Sequence, residues 1–353
     1  MKTYCKHTRI DEALVREAYQ RWLRSRSGKR NCWRVEKEHG SAQALIAEIA
    51  DEVSGRRLRL RPISRHRYVE PTNGKVRTIG IESVKQQVID YAIVIAIEPM
   101  LSAKVGFWQV GGIHGKGQVM AARALRRWSQ GGGYWVHVDV AKCYPSISCD
   151  LVRGIFHRYV RSPDVLYALD TALGTYDGGL EIGSYLSLRL SQFVLSFAYH
   201  HVEGLQKARR GASRALVSHQ VWYADDAILM SRDKRDLRSA VRSLERYMRD
   251  ELGLAMHPWK VCRVGDEEPI DLAGFVVRPR RTTVRPTVFL RARRSAKRFE
   301  RTPTERRARQ VTSYWGWLSN ADCDGFIRRS GVSSAIIDAS RMVSALEGAK
   351  HDR

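Results

Sequence analysis

The chain has 353 residues, enough for two or three substructures around a sizeable core, and its 61 Lys+Arg against 37 Asp+Glu give a formal net charge of +24. An apolar fraction of 43% with 28% charged residues excludes a disordered chain, and the charge excess points to a polyanionic partner, because each neutralised phosphate releases condensed counterions. The six cysteines form no C-x-x-C pair and no disulfide-like spacing, so they read as reduced thiols in a cytoplasmic protein and suggest no zinc site.

Residues 1–9 carry charge without an apolar stretch, so no secretory leader is expected. Residues 21–34 are crowded with Arg and Lys, and a polar break follows at Ser54-Gly55. A hairpin is predicted over 67–81, where Tyr68-Val69 and residues 76–81 flank the turn Pro71-Thr72-Asn73-Gly74 with its Asn-Gly signal. The most apolar run, 88–100, is too short to span a bilayer and contains Asp90; a buried helix is expected, with no membrane partner. The glycine run over 111–117 fails as a P-loop, because that register needs glycine at Val110 and Ser or Thr at Gly117. A loop whose backbone approaches a nucleic-acid phosphate beside Lys116 is expected instead.

From 129 to 276 strands alternate with helices. Residues 134–140 have strand composition around Asp139, and Leu151, Val152, Ile155, Phe156 and Tyr159 fall at helical spacing. Residues 220–230 suggest a second hairpin with Asp225-Asp226 at its tip, and Leu237, Val241, Leu244, Met248 and Leu252 form one apolar helical stripe. Strands mixed with packed helices predict an α+β fold rather than a doubly wound sheet. The last region is strongly basic through Arg309, then aromatic at Tyr314, Trp315 and Trp317, and ends in a helix predicted over 334–347. Its Arg291, Arg293, Arg294 and Lys297 are candidate contacts to a nucleic-acid duplex, a solvated charged face being the plainer alternative.

Asp225 and Asp226 stand among apolar strand residues and cannot both be buried without cations. A turn presenting both to a shared metal resolves this; an ordinary Asp-Asp turn is the alternative. Asp139 has the same placement at a strand end, with a plain helix N-cap as its alternative. If the two strands lie side by side, Asp139 and Asp225 face each other and offer the oxygen ligands that Mg²⁺ requires. Two such ions, about 3.5–4 Å apart, stabilise the attacking and leaving oxygens of an in-line phosphoryl transfer.

Together these segments resemble the reverse transcriptases. Residues 139–147, with Tyr144 five positions after Asp139, resemble the family's first catalytic motif, and Tyr223-Ala224-Asp225-Asp226 resembles its Y-x-D-D motif. Residues 179–187 resemble the intervening glycine motif, and Lys75-Val76-Arg77 the triphosphate-gripping fingers motif. Lys260, after Leu252-Gly253-Leu254, resembles the lysine that protonates pyrophosphate, and Leu272-Ala273-Gly274-Phe275 the entry to the primer grip.

The resemblance implies a right-hand polymerase with fingers at 1–128, a palm with an antiparallel sheet at 129–276 and a helical thumb at 277–353. It implies an RNA-directed DNA polymerase using two Mg²⁺ ions, with Mn²⁺ as substitute, held by Asp139, Val140, Asp225 and Asp226. Tyr144 would exclude a 2′-hydroxyl, while Ile182 and Gly183 would border the nascent base pair. Its partners would be a structured non-coding RNA template, a DNA or RNA primer, dNTPs and an accessory protein subunit.

Ile182, where many reverse transcriptases have Gln, resembles the error-prone enzymes of diversity-generating retroelements, as do Gly316-Trp317-Leu318 and Gly28-Lys29-Arg30. Leu188 and Ala224 depart from that group, and the unclassified bacterial enzymes, several tied to phage defence, tolerate such departures. A retron-like enzyme and an idle RNA-binding protein on a polymerase scaffold stay open as alternatives, while Tyr144 and Tyr223-Ala224-Asp225-Asp226 disfavour an RNA-copying RNA polymerase.

Overall fold

The apolar run of the first third becomes the helix Val84–Lys104, which buries residues around its whole circumference, as a helix enclosed by neighbours does. Those neighbours are the helices Glu12–Arg24, Pro163–Leu173 and Tyr185–Gly204. Trp22, Ile89, Ile93, Ile97 and Phe193 are all but inaccessible here, and each such side chain contributes about 1.5–3 kcal/mol on burial.

The computed structural model describes residues 2–70, 74–209 and 211–351; Pro71, Thr72 and Asn73 of the expected turn therefore lie outside the described residues. The chain divides into two compact units, each discontinuous in sequence: Met1–Phe107 with Val140–Gly204 and Arg242–His257, and Trp108–Asp139 with Leu205–Val241 and Pro258–Arg353.

The first unit carries the predicted hairpin as the strands Ser64–Val69 and Val76–Ile81, paired from Ser64↔Ile81 to Val69↔Val76. It begins earlier than the sequence pattern suggests. Ser64, Arg65 and His66 have no strand signal of their own and are drawn in by their partners at 79–81. A two-stranded ribbon is marginal alone, and this one is tied at its base: Gly80 N–H donates to Ile182 O at 2.9 Å, and Arg65 Nε to Glu181 Oε1 at 2.9 Å.

The second unit is built on an antiparallel sheet in the order His219–Tyr223, Asp226–Ser231, Tyr134–Asp139, Cys262–Arg263. A three-stranded sheet, Arg281–Val284, Phe275–Arg278 and Ile270–Leu272, shares its core with the helices Gln118–Ser129, Pro286–Arg301, Glu305–Leu318 and Val332–His351. Helices and antiparallel sheets in separate stretches make the fold α+β, as the sequence predicts. The stripe Leu237 to Leu252 is buried along the helix Lys234–Leu252. Among the described residues no cysteine forms a disulfide, and no helix is long and apolar enough to cross a membrane.

Candidate active site

The strand Tyr134–Asp139 is central in its sheet and buries Trp135, Val136 and Val138; its neighbour Asp226–Ser231 buries Ala227 through Ser231. Both are apolar up to one end, and the carboxylates emerge together at that end. Asp139 and Asp226 are cross-strand partners, and Asp225 sits in the loop joining Tyr223 to Asp226. All three are half-buried. The partner of Asp139 is thus Asp226, not Asp225 as the sequence pattern suggests. The chain reverses at Ala224-Asp225, which leaves Asp226 as the first residue of the returning strand.

The reversal is a two-residue hairpin whose first residue, Ala224, has φ +56°, a conformation that favours glycine and costs an L-residue roughly 1–2 kcal/mol. It is held from the other side by residues 108–110. Val110 N–H donates to Trp222 O and Trp222 N–H to Trp108 O, each at 2.8 Å. Gly111 follows and lies on the turn itself: a Cβ there would stand 2.5 Å from Ala224 N. The glycine run, expected to meet a phosphate, therefore begins with a residue whose missing side chain seats the aspartate hairpin.

His137 lies two residues before Asp139 and so on the same strand face. Its Nε2 donates to Asp226 Oδ1 at 2.9 Å. That hydrogen bond, together with the negative charges of Asp226, Asp139 and Asp271, raises the imidazole above its ordinary range against the opposing effect of desolvation. The sequence carries no signal for this contact, since it depends on which strand pairs with which.

Among the described residues no three His, Cys, Asp or Glu side chains converge as a metal would hold them. What suits Mg²⁺ is the donor set: carboxylates from adjoining strand ends are hard oxygen ligands. Asp139, Asp225 and Asp226 are the carboxylates this arrangement offers, and Asp226 is also hydrogen-bonded to His137. Val140, next in the chain, is buried and bridges to Met256 through its main chain.

In the first unit, Tyr144 is half-buried in the short helix Cys143–Ser146, which follows Lys142 at φ +48°. Its carbonyl accepts from Leu180 N–H at 3.0 Å. Ile182 is half-buried, and Gly183, at φ +110°, has space only for hydrogen because a Cβ would meet Gly80 O at 2.9 Å. The segment 180–183 thus links Tyr144 to the base of the hairpin. Lys75 and Arg77 are exposed on that hairpin, and Arg77 Nη2 lies 3.4 Å from Glu70 Oε2.

Beneath this segment is a buried polar cluster. Ser184 Oγ donates to Asp90 Oδ2 at 2.9 Å and lies within 2.9 Å of the Tyr176 hydroxyl. Burial, and then the neighbouring Glu82, holds the Asp90 carboxyl well above the usual aspartate range; burial raises Glu82 as well. In the sequence Asp90 argued only against a membrane span.

Elsewhere in the second unit, Lys116 is half-buried and its ammonium is depressed by burial. It lines a cleft of about 550 Å³ with Arg123, Arg127, Trp108 and Trp128. Lys260 is exposed, and its Nζ meets Glu268 Oε2 at 2.5 Å, which raises its pKa. Arg291, Arg293, Arg294 and Lys297 are exposed on Pro286–Arg301, whose Ala292, Ala296 and Phe299 are buried. Gly274, at φ +87°, has Trp317 against it, where a Cβ would be 2.4 Å from the indole, and Phe275 stacks on the same ring at 5.2 Å. The structure therefore gathers Asp139, Asp225 and Asp226 in one unit and Tyr144, Ile182 and Gly183 in the other.

A family model described as reverse transcriptase (RNA-dependent DNA polymerase) matches residues 69–277. Among solved structures the chain is similar to apo telomerase from Candida tropicalis, truncated from its C-terminal domain. The two share 12% identity at a TM-score of 0.45, over 64% of this chain and 54% of that one. The chain thus spans about half the length of that telomerase chain. No curated protein matches it.

Proposed function

The chain belongs to the reverse transcriptase (RNA-dependent DNA polymerase) family, and on that premise we propose that it extends a primer with dNTPs, copying an RNA template into DNA. The observation that carries this reading is the in-register pair Asp139↔Asp226 with Asp225 in the adjoining two-residue turn. Asp139 and Asp225, with the main chain of Val140, would hold two Mg²⁺ ions, Mn²⁺ being a substitute. When bound, such ions offset negative charge on the attacking and leaving oxygens of an in-line displacement. Asp226 adds negative charge at the same strand end, oriented by His137.

The remaining roles rest on side-chain chemistry and on the family resemblance. Lys75 and Arg77 project from an exposed ribbon, where a planar guanidinium suits phosphate oxygens. Tyr144, half-buried in its own unit, would exclude a 2′-hydroxyl, as the family resemblance implies. Lys260 carries a proton that its partner Glu268 helps retain, available to a departing pyrophosphate once that pair opens. Lys116 and the exposed face of Pro286–Arg301, with Arg291, Arg293, Arg294 and Lys297, would follow the nucleic-acid backbone. In functional terms residues 1–128 act as fingers, 129–276 as palm and 277–353 as thumb. The finer reading is an error-prone enzyme of the diversity-generating kind, because Ile182 offers dispersion but no directional hydrogen bond to the pairing bases.

Primer extension on a homopolymer RNA template with Mg²⁺ tests the proposal. Asp225→Asn keeps the volume but removes a charge that two cations need, so extension should fall by orders of magnitude while the fold survives. Near-normal extension by both Asp225→Asn and Asp139→Asn would reject the site.

A further inference from the structure

The segment 21–34, dense in Arg and Lys, lies outside residues 69–277 matched by the family model and has no part in the chemistry above. It forms the helices Arg26–Asn31 and Trp33–His39, joined at Cys32 in right-handed helical conformation, with Cys32 N–H donating to Gly28 O at 2.8 Å. Cys32 keeps helical dihedrals, so helical phase is nearly continuous from 26 to 39, with one tighter turn where Val35 N–H donates to Cys32 O at 3.0 Å. At about 100° per residue, Arg26, Lys29, Arg30, Trp33 and Lys37 fall within an arc of roughly 100° on one face. The opposite face, Gly28 and Val35, is buried, whereas all five stripe residues are exposed.

Two features set this stripe apart from an ordinary solvated face. The first is the absence of compensating acids. Arg34 and Arg61 both pair with Glu38, and Arg21 with Glu17 and Glu98. Among the described residues, by contrast, none of Arg26, Lys29, Arg30 and Lys37 forms an ion pair, and exposed Glu36 lies only at the edge of the stripe. The second is the indole in its middle. Trp33 is 59% exposed; Lys29 and Arg30 precede it by four and three residues, and Lys37 Nζ lies 5.8 Å from its ring centroid. A lone exposed tryptophan needs no explanation. An aromatic ring centred in a line of unpaired cations is the arrangement that takes a base by stacking and its flanking phosphates by charge.

We propose that the face Arg26–Lys29–Arg30–Trp33–Lys37 binds single-stranded RNA, one base stacking on Trp33 while adjacent phosphates contact the cations. The stripe is about 16 Å long by the helical rise of its residues, room for a few nucleotides rather than a duplex turn. The choice of RNA rests on the RNA-templated reading above. The occupant is single-stranded because a paired base has its faces covered by its neighbours and cannot stack on Trp33.

The test is fluorescence anisotropy of a labelled 12-nucleotide single-stranded RNA on the full chain, without primer or dNTPs, over a range of salt. Trp33→Ala should weaken binding roughly 5- to 150-fold, the usual span for losing one stacked base, without changing the salt slope. Trp33→Tyr should restore most of the affinity. Replacing Arg26, Lys29 and Arg30 together by Gln should lower the slope of log K against log salt by roughly 2, as three lost phosphate contacts require. A 4-thiouridine label should crosslink to the peptide holding Trp33.

Unchanged affinity in Trp33→Ala, or crosslinks confined to other segments, overturns the inference. So does anionic-vesicle binding that depends on the stripe when RNA binding does not. Because no extension is measured, a chain that fails to polymerise still answers this question. One that polymerises but ignores Trp33 overturns this inference alone.

Discussion

Gly111→Ala should disable the protein through a contact that no motif advertises. A Cβ at position 111 would stand 2.5 Å from Ala224 N, 3.1 Å from Tyr223 C and 3.3 Å from Tyr223 Cα, where ordinary contact begins at 3.4 Å. The nearest gap must therefore open by about 0.9 Å (3.4 − 2.5). The atoms met are main chain, in a segment pinned by two hydrogen bonds of 2.8 Å between residues 108–110 and Trp222. No side chain can swing aside, so the Ala224-Asp225 turn has to move. Overpacking of this kind costs about 1–3 kcal/mol, which lowers Tm by roughly 2–12 °C in a domain of this size. A displacement of about 1 Å at the reacting groups costs roughly 100-fold in rate.

The assay is single-nucleotide extension at saturating dNTP, with a thermal melt alongside. The loss should appear in the turnover rate rather than in KM, because the proposed nucleotide-binding residues Lys75 and Arg77 are untouched. Gly154→Ala is the control. That glycine is exposed inside the helix Cys149–Tyr159, and a methyl group added there would meet nothing within 4 Å, so alanine should stabilise by about 0.5–1 kcal/mol. A Gly111→Ala protein that melts and extends like wild type would refute the packing argument and the placement of the aspartates that depends on it.

Tyr144→Ala should raise ribonucleotide incorporation relative to deoxyribonucleotide in single-nucleotide kinetics; an unchanged preference would reduce Tyr144 to packing. Ile182→Gln adds a group able to make one directional hydrogen bond of about 1 kcal/mol, so misincorporation should fall roughly 5-fold in sequenced cDNA. An unaltered error spectrum, or a wild type as accurate as other reverse transcriptases, would remove the argument for an error-prone enzyme. Asp90→Asn addresses the buried cluster. Folding holds the Asp90 carboxyl protonated above its ordinary value of 3.8, whereas the unfolded chain releases that proton, so the native state binds more protons and loses stability as pH climbs past 3.8. Asparagine keeps a neutral acceptor for Ser184, so the variant's Tm should fall less steeply over that range. A Tm–pH profile parallel to wild type would mean that Asp90 is ionised in the fold.

Much of this architecture is legible without coordinates, and for a local reason. Helical and strand periods are properties of the backbone, so Leu237 to Leu252 and the strands around Asp139 and Asp226 can be read from spacing alone. Carboxylates in an apolar pattern stand out because desolvation makes them costly anywhere but a strand end or turn. Register is a different matter. That Asp139 meets Asp226 rather than Asp225, that His137 reaches Asp226, and that Gly111 carries no side chain because the Ala224 turn lies against it, all depend on segments some 90 to 110 residues apart in sequence. The same is true of Asp90, whose proton is held by burial and by Glu82, and of Arg65, which anchors an exposed ribbon to Glu181. Composition and period determine which segments become helices and strands and which side chains are chemically expensive to bury. Only tertiary packing decides which of those side chains meet, because a shift of one residue in strand register turns every side chain to the opposite face while leaving the sequence pattern unchanged.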